Sequence, residues 1–156
     1  MVAMKILVLH GPNLNFVGTR EPDKYGTVCL DDINRLLNEV ACFRRIDSLE
    51  IRQTNHEGIL IDWIQDAYNW AGGILINPGG LAHTSVILRD AIASVSGRVL
   101  TLEVHMTDIH KRETFRHVSL LSGACVDTIS GFGVESYTRG LHKLIDVIEK
   151  KNTTKV

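Results

Sequence analysis

Five segments of strand length alternate with amphipathic segments along the chain, and this alternation restricts the folds that the sequence can adopt. The first apolar segment covers residues 4–10, and the clearest covers residues 73–77, Gly-Ile-Leu-Ile-Asn, which end at Pro-Gly-Gly. A short continuous apolar run of this kind is typical of a strand buried on both faces of a parallel sheet. Three further strands are predicted at residues 48–53, 98–104 and 124–130.

Apolar residues at helical spacing separate these strands and predict the layers that cover the sheet. Helices are expected over residues 30–45, 58–71 and 83–94 and from Tyr137 to Ile148, with a short helical turn at 111–117 and a frayed tail at about 150–156. Strands and helices that alternate in this way form a parallel sheet with helices on both faces. Charged residues within strands two and five mark these as edge strands, which favours the flavodoxin-like order 2-1-3-4-5.

Length, charge and cysteine content limit the classes of function. The 156 residues fit one domain over residues 1–156, and 17 basic against 18 acidic residues leave no positive field for nucleic acid or a membrane surface. Three cysteines without a Cys-x-x-Cys pair argue against a disulfide framework or a structural zinc site. No apolar run reaches the roughly 18 residues of a spanning helix, and the N-terminus lacks the regions of a signal peptide, so a cytoplasmic location is expected.

The predicted sheet order places a ligand site at the carboxyl ends of the strands, between strands one and three. The loops after strands one, three and four carry polar side chains, and these are Asn13, Arg20, Tyr25, Asn77, His83, Glu103 and His105, with Arg116 on the next turn. Such a set can transfer protons without a metal or cofactor, so none is predicted. The backbone amides of Met106 and Thr107 can form a concave site for a carboxylate.

Residues 13–27 form a connection that Gly and Pro interrupt, and we interpret it as a lid over this site. A tyrosine has a pKa near 10, and lowering that pKa by about three units requires about 4 kcal/mol in favour of the phenolate. One guanidinium about 4 Å away contributes a comparable amount at an effective dielectric constant of about 20. We therefore predict that Tyr25 is a catalytic base and that Arg20 lowers its pKa.

Each candidate also has an ordinary structural interpretation. His105 is as easily a histidine that ends a strand, although Glu103, two residues earlier on the same face, can orient its ring. Asn13 fits a simple turn and His83 the start of a helix. The residue types alone also permit a flavodoxin-like module that binds a flavin or another phosphate ligand, but the loop after strand one offers one glycine and a proline that lacks a donor.

The sequence resembles the type II 3-dehydroquinate dehydratases, the type II dehydroquinases, from about residue 5 to residue 144. The resemblance rests on ordered motifs, namely Gly-Pro-Asn-Leu-Asn at 11–15, Gly-Thr-Arg-Glu-Pro at 18–22, Tyr-Gly at 25–26, Arg-Gln-Thr-Asn-His-Glu-Gly at 52–58, Ile-Asn-Pro-Gly at 76–79, His-Thr-Ser-Val at 83–86, Leu-Arg-Asp-Ala at 88–91, Glu-Val-His at 103–105 and Phe-Arg at 115–116.

This resemblance implies a lyase that converts 3-dehydroquinate to 3-dehydroshikimate by trans elimination through an enolate, in the shikimate pathway of aromatic amino acid biosynthesis or in quinate breakdown. Tyr25 corresponds to the base and His105 to the general acid. Arg20 corresponds to the lid arginine, Asn13 to the residue that stabilises the enolate oxygen, and Glu103 to the residue that orients the histidine.

The resemblance further implies which residues hold the substrate. Asn77, Met106 and Thr107 match the carboxylate-binding positions, whereas His83 and Arg116 match those that hold ring hydroxyls. Asp90 matches a position that reaches the site of a neighbouring subunit, in a dodecamer that consists of four trimers. The sequence departs from the usual pattern at His10, at residues 80–82 and at residues 106–108, where Asp108 adds a charge.

Overall fold

The computed structural model describes residues 3–19, 23 and 27–154, and its centre is a parallel sheet of five strands. The strands are β1 Lys5–His10, β2 Ser48–Gln53, β3 Gly73–Asn77, β4 Leu100–His105 and β5 Asp127–Ser130. They lie in the order β2-β1-β3-β4-β5. The predicted order 2-1-3-4-5 and the edge positions of β2 and β5 are therefore confirmed.

Four α-helices in the described part of the chain cover the two faces of this sheet. They are α1 Leu30–Arg44, α2 Glu57–Ala67, α3 Val86–Val95 and α4 Glu135–Thr153. Side chains alternate along each strand, so Ile6 and Val8 pack with α1 and α4, whereas Leu7 and Leu9 pack with α2 and α3. No helix in the described ranges combines the length and the apolar character needed to cross a membrane.

Helix α4 packs closely on the sheet because Gly140 carries no side chain. A Cβ atom built at Gly140 lies 2.5 Å from Cγ1 of Val104 and 3.1 Å from Cδ1 of Leu75. Replacing Gly140 by alanine should therefore lower the free energy of unfolding by about 1–3 kcal/mol, because overpacking outweighs the better helix propensity of alanine. Urea unfolding measures this change, and Gly58→Ala, whose Cβ meets no atom within 4 Å, is the control. Equal or greater stability of Gly140→Ala would contradict the packing argument.

The structure corrects several predicted boundaries. Helix α2 ends at Ala67 rather than at 71, and the helix predicted from residue 83 begins at Val86, because Gly79–His83 forms a separate 3-10 helix. The Ser85 hydroxyl caps α3 by accepting the Leu88 N–H at 2.9 Å. The short helical turn predicted at 111–117 is instead two 3-10 turns, Ile109–Lys111 and Thr114–Arg116.

The bounds of β4, β5 and α4 also differ from the prediction. Strand β4 runs two residues later than predicted at its start and includes His105, and β5 begins at Asp127 because Ser122–Ala124 forms a 3-10 turn. Helix α4 continues to Thr153, so the predicted frayed tail is wrong for residues 150–153. The Lys151 ammonium donates to the Gly97 carbonyl at 3.2 Å and fixes this last turn against the loop before β4.

Candidate active site

A pocket of about 110 Å³ lies at the carboxyl ends of β1, β3 and β4, where the sequence analysis placed the ligand site. Seven of the predicted site residues line it, and these are Asn13, Asn77, His83, His105, Met106, Thr107 and Arg116. The reversal of winding between β1 and β3 leaves room for a ligand at this edge of the sheet. The pocket thus brings together residues from three loops that are distant in the sequence.

A buried carboxylate and an imidazole form the best-defined pair at the pocket. Glu103 and His105 lie two residues apart on β4 and therefore point to the same face of the sheet. The Nε2–H of His105 donates to Oε1 of Glu103 at 2.5 Å. Glu103 is completely buried and the histidine is 6% exposed, so the carboxylate fixes the orientation of a ring whose other edge borders the pocket.

Two hydroxyl groups complete the surroundings of the Glu103 carboxylate. The Ser119 hydroxyl donates to Oε1 at 2.6 Å, and the Thr128 hydroxyl donates to Oε2 at 3.4 Å. A buried carboxylate needs such donors because it has lost its hydration. Sequence reasoning missed both residues, although Thr128 stands directly opposite Glu103 in the register of β4 and β5.

His83 lies next to His105 at the pocket wall. The two rings are nearly parallel, with an interplanar angle of 23° and centroids 6.2 Å apart. Nδ1 of His83 lies 2.8 Å from the Val118 carbonyl, which can only accept, so Nδ1 carries the proton. In the neutral ring Nε2 is then an acceptor that can receive a hydroxyl proton from a ligand.

Arginine side chains give the pocket positive charge. Nη1 of Arg112 donates to the Thr107 hydroxyl at 3.2 Å, and Arg112 lines the pocket beside Arg116. Both guanidinium groups contact the Glu113 carboxylate, at 3.4 Å from Arg112 and 3.0 Å from Arg116. Guanidinium groups that line a pocket can donate hydrogen bonds to an anionic ligand. Sequence analysis named Arg116 as a site residue but not Arg112, which lies four residues earlier.

The amide of Asn77 is held in one orientation. Its Oδ1 accepts the N–H of Gly79 at 3.1 Å, and its Nδ2 donates to the Tyr137 hydroxyl at 2.9 Å. Since Asn77 lines the pocket, the group that it can offer a ligand is its second N–H. Such a donor suits a carboxylate oxygen.

Asn13 belongs to the lining of the pocket, whereas Asp90 does not. The backbone of Asn13 has a left-handed conformation with φ of 70°, and its N–H donates to Oδ1 of Asn55 at 2.9 Å. Asp90 is exposed on α3, 3.5 Å from Arg89, and is not among the described residues that line the pocket. Arg20 and Tyr25 lie outside the described residues. The carboxylate of Asp108 accepts the backbone N–H of His110, two residues later, at 3.0 Å.

Within residues 3–19, 23 and 27–154, no group of three or more His, Cys, Asp and Glu side chains is arranged to hold a metal ion. The chemistry that these residues offer is acid–base chemistry around the Glu103–His105 pair.

The fold and the pocket together define a flavodoxin-like α/β protein with an acid–base site at the switch point of its sheet. A family model described as dehydroquinase class II matches residues 4–145. The chain belongs to this family, as the motifs predicted.

Relatives of known name and structure agree with this assignment. The chain is 47% identical to a 3-dehydroquinate dehydratase of Halothermothrix orenii, over 94% of this chain and 97% of the relative. It is 49% identical to a 3-dehydroquinate dehydratase of Gloeothece citriformis, over 96% of this chain and 97% of the relative. The crystal structure of a type II dehydroquinase from Butyrivibrio crossotus matches with a TM-score of 0.88 and 43% identity, over 91% of this chain and 97% of that one. The type II dehydroquinase of Propionibacterium acnes matches with a TM-score of 0.85 and 37% identity, over the same shares of the two chains.

Proposed function

We propose that this protein is a lyase that dehydrates 3-dehydroquinate to 3-dehydroshikimate. The observation that carries the proposal is the buried Glu103–His105 pair, 2.5 Å between Oε1 and Nε2, at the pocket of a chain of this family. The two arginines and the donor from Asn77 suit the carboxylate of such a substrate. The family match favours this function over a module that binds a flavin or another phosphate ligand.

The elimination requires a base and an acid at different positions of the substrate ring. In the proposed reaction the Tyr25 phenolate takes a proton from the carbon next to the ketone, and the electron pair forms an enolate whose oxygen Asn13 stabilises. His105 then donates a proton to the departing hydroxyl. The carbon–oxygen bond breaks, water leaves, and a conjugated enone remains.

The remaining residues are proposed to bind and orient the substrate. Asn77 and the backbone amides of Met106 and Thr107 hold the carboxylate, while His83 and Arg116 hold ring hydroxyls. Glu103 orients His105 through the hydrogen bond to Nε2, so that the opposite edge of the ring borders the pocket. No metal or cofactor takes part in this scheme.

The direct test is an absorbance assay with purified protein and 3-dehydroquinate. The conjugated enone of the product absorbs in the ultraviolet, so the signal should rise in the presence of enzyme and follow the enzyme concentration. A folded protein that gives no such signal would overturn the proposed substrate. A flavin spectrum of the purified protein would support the binding module instead.

Replacing Glu103 by glutamine should lower kcat by about 10- to 100-fold, because the amide keeps the shape of the side chain but can turn an N–H group towards Nε2 and then no longer holds the ring in one orientation. Steady-state kinetics measures the loss, and circular dichroism tests the fold. The matched control is Glu39→Gln, which removes a carboxylate from the exposed side of α1, where Glu39 lies 3.8 Å from Arg35. A kcat of Glu103→Gln equal to that of the wild type would exclude the proposed orienting role.

Replacing Arg20 by alanine should raise the pKa of Tyr25 towards that of a free phenol, because the guanidinium that favours the phenolate is gone. The rate at neutral pH should fall, and alkaline pH should restore part of it. The measurement is the pH profile of kcat, with Arg35→Ala on α1 as the control. A profile with the shape of the wild type would disprove the activation of the tyrosine by Arg20.

The assembly and location follow the same proposal. Residues 1–156 act as one catalytic domain with a lid at about 13–27, and the subunits form a dodecamer of four trimers in the cytoplasm, in the shikimate pathway or in quinate breakdown. The position of Asp90, exposed on α3 outside the pocket of its own chain, supports a role at a neighbouring site. Sedimentation equilibrium would measure the mass, and a monomer at micromolar concentration would contradict the assembly.

A further inference from the structure

A hydrogen-bond network of four polar side chains runs through the core from α1 to the pocket. Oδ1 of Asn34 lies 2.8 Å from Nε2 of His10, and Nδ1 of His10 lies 3.1 Å from the Tyr137 hydroxyl. The same hydroxyl is 2.9 Å from Nδ2 of Asn77. His10 and Asn77 stand opposite each other on the paired strands β1 and β3, and α4 supplies Tyr137.

The direction of every hydrogen bond in this network follows from the bond between Gly79 and Asn77. The backbone N–H of Gly79 can only donate, so the atom of Asn77 that faces it is Oδ1 and the atom that faces Tyr137 is Nδ2. Nδ2 donates to the phenol oxygen, whose own proton then goes to Nδ1 of His10. Nδ1 is therefore an acceptor, and Nε2–H donates to Asn34.

Burial keeps this arrangement in place. His10 is completely buried and Tyr137 is 1% exposed, so a phenol proton without an acceptor has no water to bond. Burial lowers the pKa of His10 to about 4, which keeps the ring neutral. Burial also raises the pKa of Tyr137 above the ordinary value of a phenol.

We propose that His10 and Tyr137 are positioning residues for Asn77, whose amide they hold so that its free N–H points into the pocket and meets the substrate as a donor. The proposal rests on the proposed function only for the identity of the substrate carboxylate. If a hydrogen bond of this network is lost or its direction is reversed, the amide of Asn77 loses its constraint on one side. Substrate binding then weakens, while the transfer of protons by Tyr25 and His105 continues.

The tautomer of His10 tests the direction of the hydrogen bonds in this network, in the wild-type protein without substrate. Nitrogen-15 NMR of the imidazole should show Nδ1 without a proton and Nε2 with one at neutral pH. A protonated Nδ1 would overturn the proposal, because the Tyr137 hydroxyl would then face a donor. This measurement does not depend on activity, so it separates failure of this proposal from failure of the proposed function.

Replacing Tyr137 by phenylalanine tests the consequence for binding. We expect KM to rise about tenfold with kcat within about twofold, because the loss affects binding equally in the ground state and the transition state. Tyr68→Phe is the matched control, since Tyr68 is half-exposed beneath the Arg98 guanidinium and away from the pocket. An unchanged KM in folded Tyr137→Phe would overturn the proposal, and if this variant does not fold, the tautomer of the wild type decides.

Replacing Asn34 by aspartate adds a negative charge and keeps the shape of the side chain. A carboxylate beside Nε2 favours a doubly protonated His10, whose Nδ1–H then donates to the Tyr137 oxygen and competes with Asn77. KM should rise by about threefold to tenfold, and both His10 nitrogens should appear protonated. Asn38→Asp adds the same charge one turn further along α1, on the exposed side, and should leave KM unchanged. Equal KM values for the two variants would overturn the proposal.

Discussion

Substituting glutamine for His105 should lower kcat by about a thousandfold, which is the usual contribution of a general acid in the elimination step. Glutamine still offers an N–H to the Glu103 carboxylate, so the buried charge keeps a donor and the fold should remain intact. The variant lacks only the group that protonates the departing hydroxyl. Loss of water should therefore become the slow step.

Isotope exchange in heavy water shows which step the variant has lost. His105→Gln should still exchange the substrate proton next to the ketone with solvent, because Tyr25 can form the enolate without the histidine. His142→Gln is the control, since that imidazole contacts Arg44 and does not line the pocket. Wild-type turnover in His105→Gln would remove the histidine from its role as the acid.

Replacing Tyr25 by phenylalanine should abolish turnover, with a loss of about 10⁴-fold, because no other group is proposed to take the proton. The substitution removes a single oxygen atom and should not change the circular dichroism spectrum. Unlike His105→Gln, this variant should lose both product formation and exchange of the substrate proton. The two variants thus divide the reaction into its two proton transfers.

Tyr68→Phe serves again as the control, because it removes a phenol hydroxyl from a surface position. Its kcat and its exchange rate should equal those of the wild type. If folded Tyr25→Phe still exchanges the substrate proton at the wild-type rate, another base forms the enolate, and the proposed roles of both Tyr25 and Arg20 are wrong.

The order of the sheet was predictable because charge and burial are linked in parallel sheets. Glu50 and Arg52 in β2 and Asp127 in β5 lie on strands that are only partly buried, whereas every residue of β3 is buried. Helix boundaries were less predictable. The residues before α3 form a 3-10 helix whose hydrogen bonds depend on the Pro-Gly-Gly turn, and apolar spacing carries no signal for this choice.

The site was predictable where strand periodicity applies. The spacing of two residues indicated that Glu103 can orient His105, and the structure places both side chains on one face. Ser119 lies in an irregular segment, so its contact with Glu103 depends on tertiary packing alone. Tyr137 was interpreted as part of the apolar face of α4. Its ring does pack in the core, but the pattern does not indicate that its hydroxyl bonds to Asn77.

The central position of β1 has a consequence for synthesis on the ribosome. The first strand to emerge becomes an interior strand, β2 and β3 add on either side of it, and β4 and β5 then extend one edge in the order of translation. Each new strand is therefore translated after the neighbour beside which it lies in the sheet. The nascent polypeptide acquires its carboxylate–imidazole pair only with the fourth strand, and the hydroxyls of Ser119 and Thr128 join last.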